Sequence, residues 1–526
     1  MSTFATRGLS RRDLLRFGRD AAAAVTLGAL PAFGGERAPR FQASPFRFGV
    51  ASGDPVADGV VLWTRLDAEV LDRSGALGLH VPVRWEIAED DSFRHIVRKG
   101  SHLAMAELGH SVHVEADGLR PGRHYWYRFM AGGEVSAEGR TRTAPSEHAA
   151  LDRFRFAFVS CQNYETGYFT AYRRIAEEDL DLVVHLGDYI YETGTMGSER
   201  AVRLQEVGGE LFTLDQYRAR YASYKTDPDL QAAHARFPFV VTSDDHEVKN
   251  DYAGDTAPGA MPADAFLIRR AAAYQAYYEF MPLRRSAMPA GPSMRLFRRL
   301  RFGSLAEFHV LDTRQYRTGL SCGGGRKSLC EEALAPSHNI MGTEQERWLT
   351  DGLQASTAGW NVLANQVLIS RFMQMANDTP TFSMDNWSGY VQSRTRLMRF
   401  LAEARPANPV VLTGDLHSNW VSDLKLDFDD PSSPTVGTEL VGTSISSGGD
   451  GDESTRADAL ALNPHFKFYN NRRGYVRCTL TPSLMTADYR TLPYVSRPDA
   501  RIDTRASFVV ESGRPGAHLI KMGDPQ

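Results

Sequence analysis

The stretch Val183-Val184-His185-Leu186-Gly187-Asp188-Tyr189-Ile190-Tyr191-Glu192 decides how the chain is read. Its apolar run has the length of a buried strand, and Gly187 is the residue that turns the chain at its end. A carboxylate just past such a strand lies at the mouth of a sheet, where open α/β sheets place their ligands. There Asp188 is able to bridge two hard cations. Tyr191, three residues on, becomes a further ligand if it ionises. The competing reading is a turn that Asp188 merely caps. The stretch by itself leaves the two readings even.

The same figure recurs along the chain. Phe154–Val159 runs into Cys161, Phe239–Thr242 into Asp245 and His246, and Pro409–Thr413 into Asp415 and His417. One strand-terminal Asp is often a cap, and one His is often a hydrogen-bonded core residue. Four such clusters, each just past a strand, are hard to explain structurally. They predict that all four meet at one edge of a sheet. The donor types then constrain the metal. Carboxylates suit hard cations, whereas thiolate and phenolate suit acceptors resembling Fe(III). A bound cation also keeps thiol and phenol deprotonated. A mixed two-metal site follows more readily than a zinc site. Two ions about 3.5–4 Å apart clamp phosphoryl oxygens and activate water. His246, directly after Asp245, is available to protonate a leaving oxygen.

Outward from these strands the pattern divides. Residues 46–145 read as all-β: Val60–Leu66, Val81–Ala88, Ser111–Ala116 and the aromatic Tyr125–Phe129 are short strands with turns between them, as in a small fibronectin- or immunoglobulin-like sandwich. From Arg153 strands alternate with helices. Helices are expected at Thr170–Glu178, Leu214–Tyr224, from Asp264 (as N-cap) to about Tyr278, Thr343–Ala355 and Ser393–Glu403. Further strands are expected at Leu305–Leu311, at Trp360–Ile369 with an interruption at Asn365-Gln366, at Glu439–Val441 and at Gly474–Thr481. Gly448-Gly449-Asp450-Gly451-Asp452 reads as an exposed acidic turn, with calcium binding as the lesser alternative.

The chain has 526 residues, a hydrophobic fraction of 42% and a formal charge of -4, which fits a globular protein and gives no sign of a nucleic-acid binder. Cys161, Cys322, Cys330 and Cys478 are too few for a disulfide scaffold and are not spaced as a zinc module. Residues 1–38 read as a leader. Ser10-Arg11-Arg12-Asp13-Leu14-Leu15-Arg16 is a twin-arginine segment, and the small-residue run Ala21–Leu30 is too short to span a membrane. Such a leader implies passage through the Tat translocase and a periplasmic or secreted destination. In that compartment Cys322 and Cys330 are able to pair; two free surface thiols are the alternative.

Taken together, the blocks resemble the metallophosphatase superfamily, whose strands end in D-x-H, GDxxD, GNH[DE] and GHxH. Here Cys161 stands in the first block. Tyr191 replaces the last Asp of the second, Asp245 the Asn of the third, and Asp415 the first His of the fourth. With those departures the chain is similar to PhoD-like alkaline phosphatases and phosphodiesterases. Phe48–Pro55, Leu311–Arg317, Met384–Tyr390 and Gly414–Trp420 carry the likeness further. The resemblance implies an αββα core, a β-sandwich between two layers of helices, over residues 152–515. A small sandwich at 44–146 would precede it. It also implies hydrolysis of phosphomonoesters and phosphodiesters at alkaline pH, with Fe(III) and Ca(II) as cofactors. Cys161, Asp188 and Tyr191 would hold iron, Asp188 would bridge to calcium, and Asp245, Asp415 and His417 would complete the site. His246 matches the position that assists the leaving group. Asn250 and Asn365 match polar positions near the site. Arg314 is expected either to clamp the substrate phosphate or to pair with Asp312 or another loop carboxylate. The substrates would be small phosphate esters, with phospholipids or other diesters also possible. A phospholipase D-like phosphodiesterase is the nearer alternative. A binding protein that has lost catalysis is the remoter one, since no metal-type position is missing.

Overall fold

The computed structural model describes residues 40–194, 201–259 and 261–524; the twin-arginine leader lies outside them. Two large sheets pack face to face between two layers of helices. This is the α/β four-layer arrangement that the sequence predicts.

The first sheet has ten strands. At its centre Phe154–Val159, Leu182–His185 and Pro238–Val241 run parallel, paired as Val184 with Phe158 and with Val240. Successive side chains point to opposite faces. Phe156 and Phe158 therefore enter the core between the sheets, and Ala157 and Val159 the core beneath the helices. Both faces are apolar because both are covered, as in parallel sheets generally. The helices on this side include Thr170–Glu177, Leu214–Lys225, Pro228–Arg236 and Ala263–Phe280. Thr213 and Gln216 close a capping box at the start of the second.

The second sheet has seven strands, with Ala306–Val310, Trp360–Ala364, Pro409–Thr413 and Thr435–Val441 parallel at its centre. Helices Gly342–Ala355 and Val391–Ala404 cover its outer face. Between the sheets Phe154 lies 4.4 Å from Phe302 and Phe156 lies 5.1 Å from Phe308, ring centre to ring centre. Each such ring contributes roughly 1.5–3 kcal/mol by leaving water.

Several expectations change. The four ligand-bearing strands do not share one sheet. Three belong to the first sheet, while Pro409–Thr413 belongs to the second. Face-to-face packing brings their ends together, which no single strand's pattern encodes. The strand expected over Trp360–Ile369 ends at Ala364. There Gln366 turns to donate to Thr242 Oγ1 at 2.8 Å and to the Leu311 carbonyl, joining the two sheets at the end that carries the site. The helix expected to be capped by Asp264 begins at Ala263. Pro262 takes the cap position, and Asp264 falls in the first turn. Asp450 accepts from the Val495 and Ser496 amides, so it holds two loops together.

The N-terminal β-region is continuous with the core. Val81–Ala88, Ile96–Ala104, His124–Ala131, Glu134–Val135 and Gly139–Arg142 form a five-stranded sheet. The layer facing it is the end of the ten-stranded sheet itself, Val50–Val56, Gly59–Arg65 and Ser111–Ala116. Ser52 pairs with Pro238 and Gly53 with Phe239. An edge of the core sheet is thereby closed instead of being left as an open template. Gly53 permits this contact: a Cβ there would fall 2.7 Å from the Phe239 carbonyl oxygen. Cys322 and Cys330 are joined in a disulfide. Among the described residues no helix is long and apolar enough to cross a membrane.

Candidate metal centre

The turns after the strands are held in a backbone conformation that side chains seldom adopt. Cys161 (φ 58°), Asp188 (57°), Asp415 (62°) and His417 (52°) all lie in the left-handed region. Each costs roughly 1–3 kcal/mol and persists only because the surrounding structure enforces it. Gly187 has φ 112°, and a Cβ on it would fall 2.4 Å from Asp244 Cβ. Only glycine allows these two turns to approach so closely. Buried Glu247 then stitches them together. Its carboxylate accepts from the Asp188 amide at 3.1 Å, the Tyr189 amide at 2.6 Å and the Asp244 amide at 2.8 Å.

Three donor sets result. Cys161, Asp188 and His417 offer atoms within 4.8 Å of one another; so do Asp188, Asp245 and His246, and so do Asp245, Asp251 and Asp385. Asp188 links the first set to the second, and Asp245 the second to the third. Tyr191 Oη joins the first set, 3.1 Å from Asp188 Oδ2, 3.1 Å from His417 Nε2 and 2.7 Å from Ser447 Oγ. Asp415 belongs to none of the three. Its carboxyl is pushed well up by burial and by Asp244, Asp385 and Asp245, with Arg314 opposing.

The electrostatics fit a multivalent cation. Burial, then the charges of Asp188, Asp415 and Asp244, push the Cys161 thiol well up. Burial, then Asp188 and Cys161, do the same to the Tyr191 phenol. Asp188 is also raised by burial, against the pull of His246, and its Oδ1 is buried without a hydrogen-bond partner. Such a group is costly unless paired with a cation. The donors mix thiol, phenol, carboxylate and imidazole, which suits a harder trivalent ion beside an oxygen-loving divalent one. By contrast Asp245 is held well below the usual carboxylate range. Burial opposes this, but Arg314, His246 and the Asp251 amide outweigh it.

His246 is half-buried. Its Nδ1 lies 2.6 Å from Glu192 Oε2, and its ring lies 4.1 Å from that of Tyr191. Burial lowers its affinity for protons, yet Asp188, Asp245 and Glu192 together raise it well above normal. Arg314 is fully buried. Its Nη1 and Nη2 meet Asp385 at 2.6 and 2.8 Å, its Nε meets Asp244, and its Nη2 lies 3.5 Å from Asp245. Of its two expected roles, the geometry matches pairing with loop carboxylates; Asp312 accepts from the Arg314 backbone amide at 3.0 Å and not from its guanidinium. Asn365 is buried, donates to the Val367 carbonyl at 2.6 Å and receives the Trp387 indole at 3.3 Å, so it braces the loop. Asn250 is exposed, and its amide donates to Glu192.

Sequence reasoning missed Glu192, Glu247, Asp385 and Ser447. Glu192 and Asp385 stand inside the quoted stretches Val183–Glu192 and Met384–Tyr390, and Glu247 directly follows His246, but a further carboxylate in such a block carries no signal of its own. Ser447 comes from a distant loop.

The sequence model of the PhoD-like phosphatase family matches residues 156–489, and that of its N-terminal domain matches residues 32–145. Alkaline phosphatase D of Bacillus subtilis (strain 168) is 48% identical over 529 residues, covering 98% of this chain and 90% of that protein. A solved structure of PhoD is 50% identical and superposes with a TM-score of 0.90 over 93% of this chain and 94% of that one.

Proposed function

The chain belongs to the PhoD-like phosphatase family, a phosphoesterase family, and from that premise we propose that it hydrolyses phosphomonoesters and phosphodiesters at alkaline pH on a centre of Fe(III) and Ca(II). The observation that carries this reading is the first donor set, in which a buried thiol, a phenol and an unpartnered carboxylate oxygen converge with an imidazole. Cys161, Asp188, Tyr191 and His417 would hold iron. Asp188, Asp245 and Asp415 would serve calcium. Such a pair supplies Lewis acidity and lowers the pKa of bound water when present.

The protein's own groups then have separate tasks. Glu192 accepts a hydrogen bond from the His246 Nδ1–H and favours the doubly protonated ring, whose Nε2–H would then protonate the departing ester oxygen. Arg314 favours the ionised forms of Asp244 and Asp245; it prevails at Asp245, whereas burial leaves Asp244 raised to about 7. Ser447 braces the Tyr191 oxygen. Residues 1–38 would direct export through the Tat translocase to the periplasm or the medium. The disulfide supports that destination.

The test is elemental analysis of the exported protein together with turnover of a monoester, a diester and phosphatidylcholine vesicles. Asp188→Ala should lose metal and turnover together, and the visible absorption expected of phenolate on ferric iron should vanish. Full metal occupancy with normal turnover in that variant would sink the bridging assignment.

A further inference from the structure

We propose that Asp385 is a positioning residue of the metal centre, and that the loop closed by Cys322–Cys330 holds it in place. The proposal rests on the two-cation reading given above.

Asp385, itself one of the third donor set, fixes the guanidinium that lies beside Asp244 and Asp245. Both its oxygens engage Arg314, and Oδ1 also meets Arg317 Nη1 at 3.1 Å. Arg317 Nη1 donates as well to the Asp385 carbonyl, at 2.9 Å. Arg314 in turn reaches Asp244 and lies 3.5 Å from Asp245. Without Asp385, Arg314 would keep only its Nε contact with Asp244 and the 3.5 Å approach to Asp245.

Asp385 is itself carried by a small lobe. It follows the strand Thr379–Ser383, whose partners are Gln374–Ala376 on one side and Arg326–Lys327 on the other. Arg326 pairs with Ser383 and Lys327 with Phe382, while the Met384 amide donates to the Gly325 carbonyl at 2.8 Å. Residues 325–327 lie inside the loop that the disulfide closes. Cys322, Gly323, Gly324 and Gly325 all have positive φ, at 54°, 79°, 77° and 67°. Three consecutive glycines lose much conformational freedom on ordering. The lobe's apolar support is slight: Ala333, Phe382 and Met384, with Met373 and the two cysteines against them. A crosslink substitutes for a core where the core is this small.

A contiguous path therefore runs from the disulfide through Arg326–Lys327 to Ser383, to Asp385, to Arg314 and to Asp244 and Asp245. Every link is a hydrogen bond, an ion pair or a peptide bond, the kind of chain that carries coupling. The two main sheets do not depend on it. Its loss would thus read out at the centre and not in the fold.

The experiment uses the full exported chain and three variants: Cys322→Ser with Cys330→Ser, Asp385→Asn with the disulfide intact, and Asp188→Ala. Bound metal, kcat, KM and segment-resolved hydrogen exchange are measured for each. In the double serine variant, exchange should quicken over residues 379–390 and 311–317, bound metal should fall, and kcat should drop about tenfold, a change typical of such networks. Asp385→Asn should show the same loss of metal and kcat while residues 322–330 stay protected. Unchanged metal and kcat in Asp385→Asn overturn the proposal; so does a double serine variant whose exchange rises only within 322–330 with metal and kcat retained. Should the double variant not fold, Asp385→Asn decides alone. If Asp188→Ala keeps its metal, the reading of the centre fails. If it loses metal while the other variants do not, only this inference fails.

Discussion

At the scale of single residues, Glu192 is the position to test. Its carboxylate is fully buried and divides its two oxygens between His246 Nδ1 and the Asn250 amide. Glu192→Gln keeps the shape and removes the charge that favours a protonated His246. The expected result is a fall in kcat of about 10–100-fold, the usual effect of removing an outer partner of a site, with KM little changed. Steady-state kinetics on one monoester decide it, and a larger rise in KM than fall in kcat would assign Glu192 to binding instead. Glu192 closes the stretch that names the site, yet nothing in Tyr-Ile-Tyr-Glu distinguishes it from a solvated residue. Its partner lies 54 residues away, past the end of the neighbouring strand.

At the scale of elements, the junction of the N-terminal sandwich with the core is the informative part. Trp63, on the strand Gly59–Arg65, is fully buried and donates its indole N–H to the Glu279 carbonyl at 3.0 Å. Lys225 Nζ lies 4.5 Å from the centre of its ring. One strand is thus tied to the helices Ala263–Phe280 and Leu214–Lys225, both of which cover the catalytic sheet. Trp63→Ala should cost about 3–5 kcal/mol of stability in the molecule as a whole. A denaturant titration should show one transition, moved to lower midpoint. An early transition for residues 46–145 alone would mean that the sandwich folds as a separate unit. The short strands of this region were legible from alternation, whereas its shared sheet was not. Edge pairing leaves no mark on the period of a strand.

At the scale of the whole molecule, buried neutral histidines set an acid limit. Burial pushes His113 down to about 3 and His309 and His465 to about 4, and burial with Lys225 and His185 pushes His234 well down. They sit in different layers: His113 stacks on Tyr278 and His234 on Phe239, while His309 lies in the second sheet and His465 beside Phe466. Below pH 6.5 the unfolded chain takes up protons that the folded chain refuses. Their contribution is complete above that pH and is lost as pH falls toward 4 and 3, by up to about 1.4 kcal/mol per histidine per pH unit. In metal-depleted protein the raised carboxyls of Asp188, Asp244, Glu247 and Asp415 bind protons in the folded state over the same range and oppose this loss. The histidine contribution is therefore read by comparison with a His309→Gln variant. The melting-temperature advantage of the unmodified protein over it should shrink as pH falls from 6.5 to 4. An advantage that does not change with pH would mean that His309 is not held neutral. Restoring the ions should raise the melting temperature at neutral pH through binding to the folded state alone.

The amino-acid sequence by itself determined the strand-end blocks, the kinds of donor they carry and the alternation of strand and helix that makes an α/β core. Each of these is local: apolar runs, turn residues and ligand types lie within a few positions of one another. It also carried the family likeness, because that likeness resides in the blocks. The tertiary structure alone decided that Asp415 and His417 arrive from a second sheet. It decided as well that Arg314 is consumed by Asp244 and Asp385, that Glu247 fastens two turns together, and that Cys322 pairs with Cys330. The reason is physical. Charge pairing and face-to-face packing act through space between residues tens to hundreds of positions apart, and a buried carboxylate's role depends on which partner reaches it first. Asp188 began as either a cap or a ligand, and its unpartnered oxygen among buried anions is what supports the ligand reading.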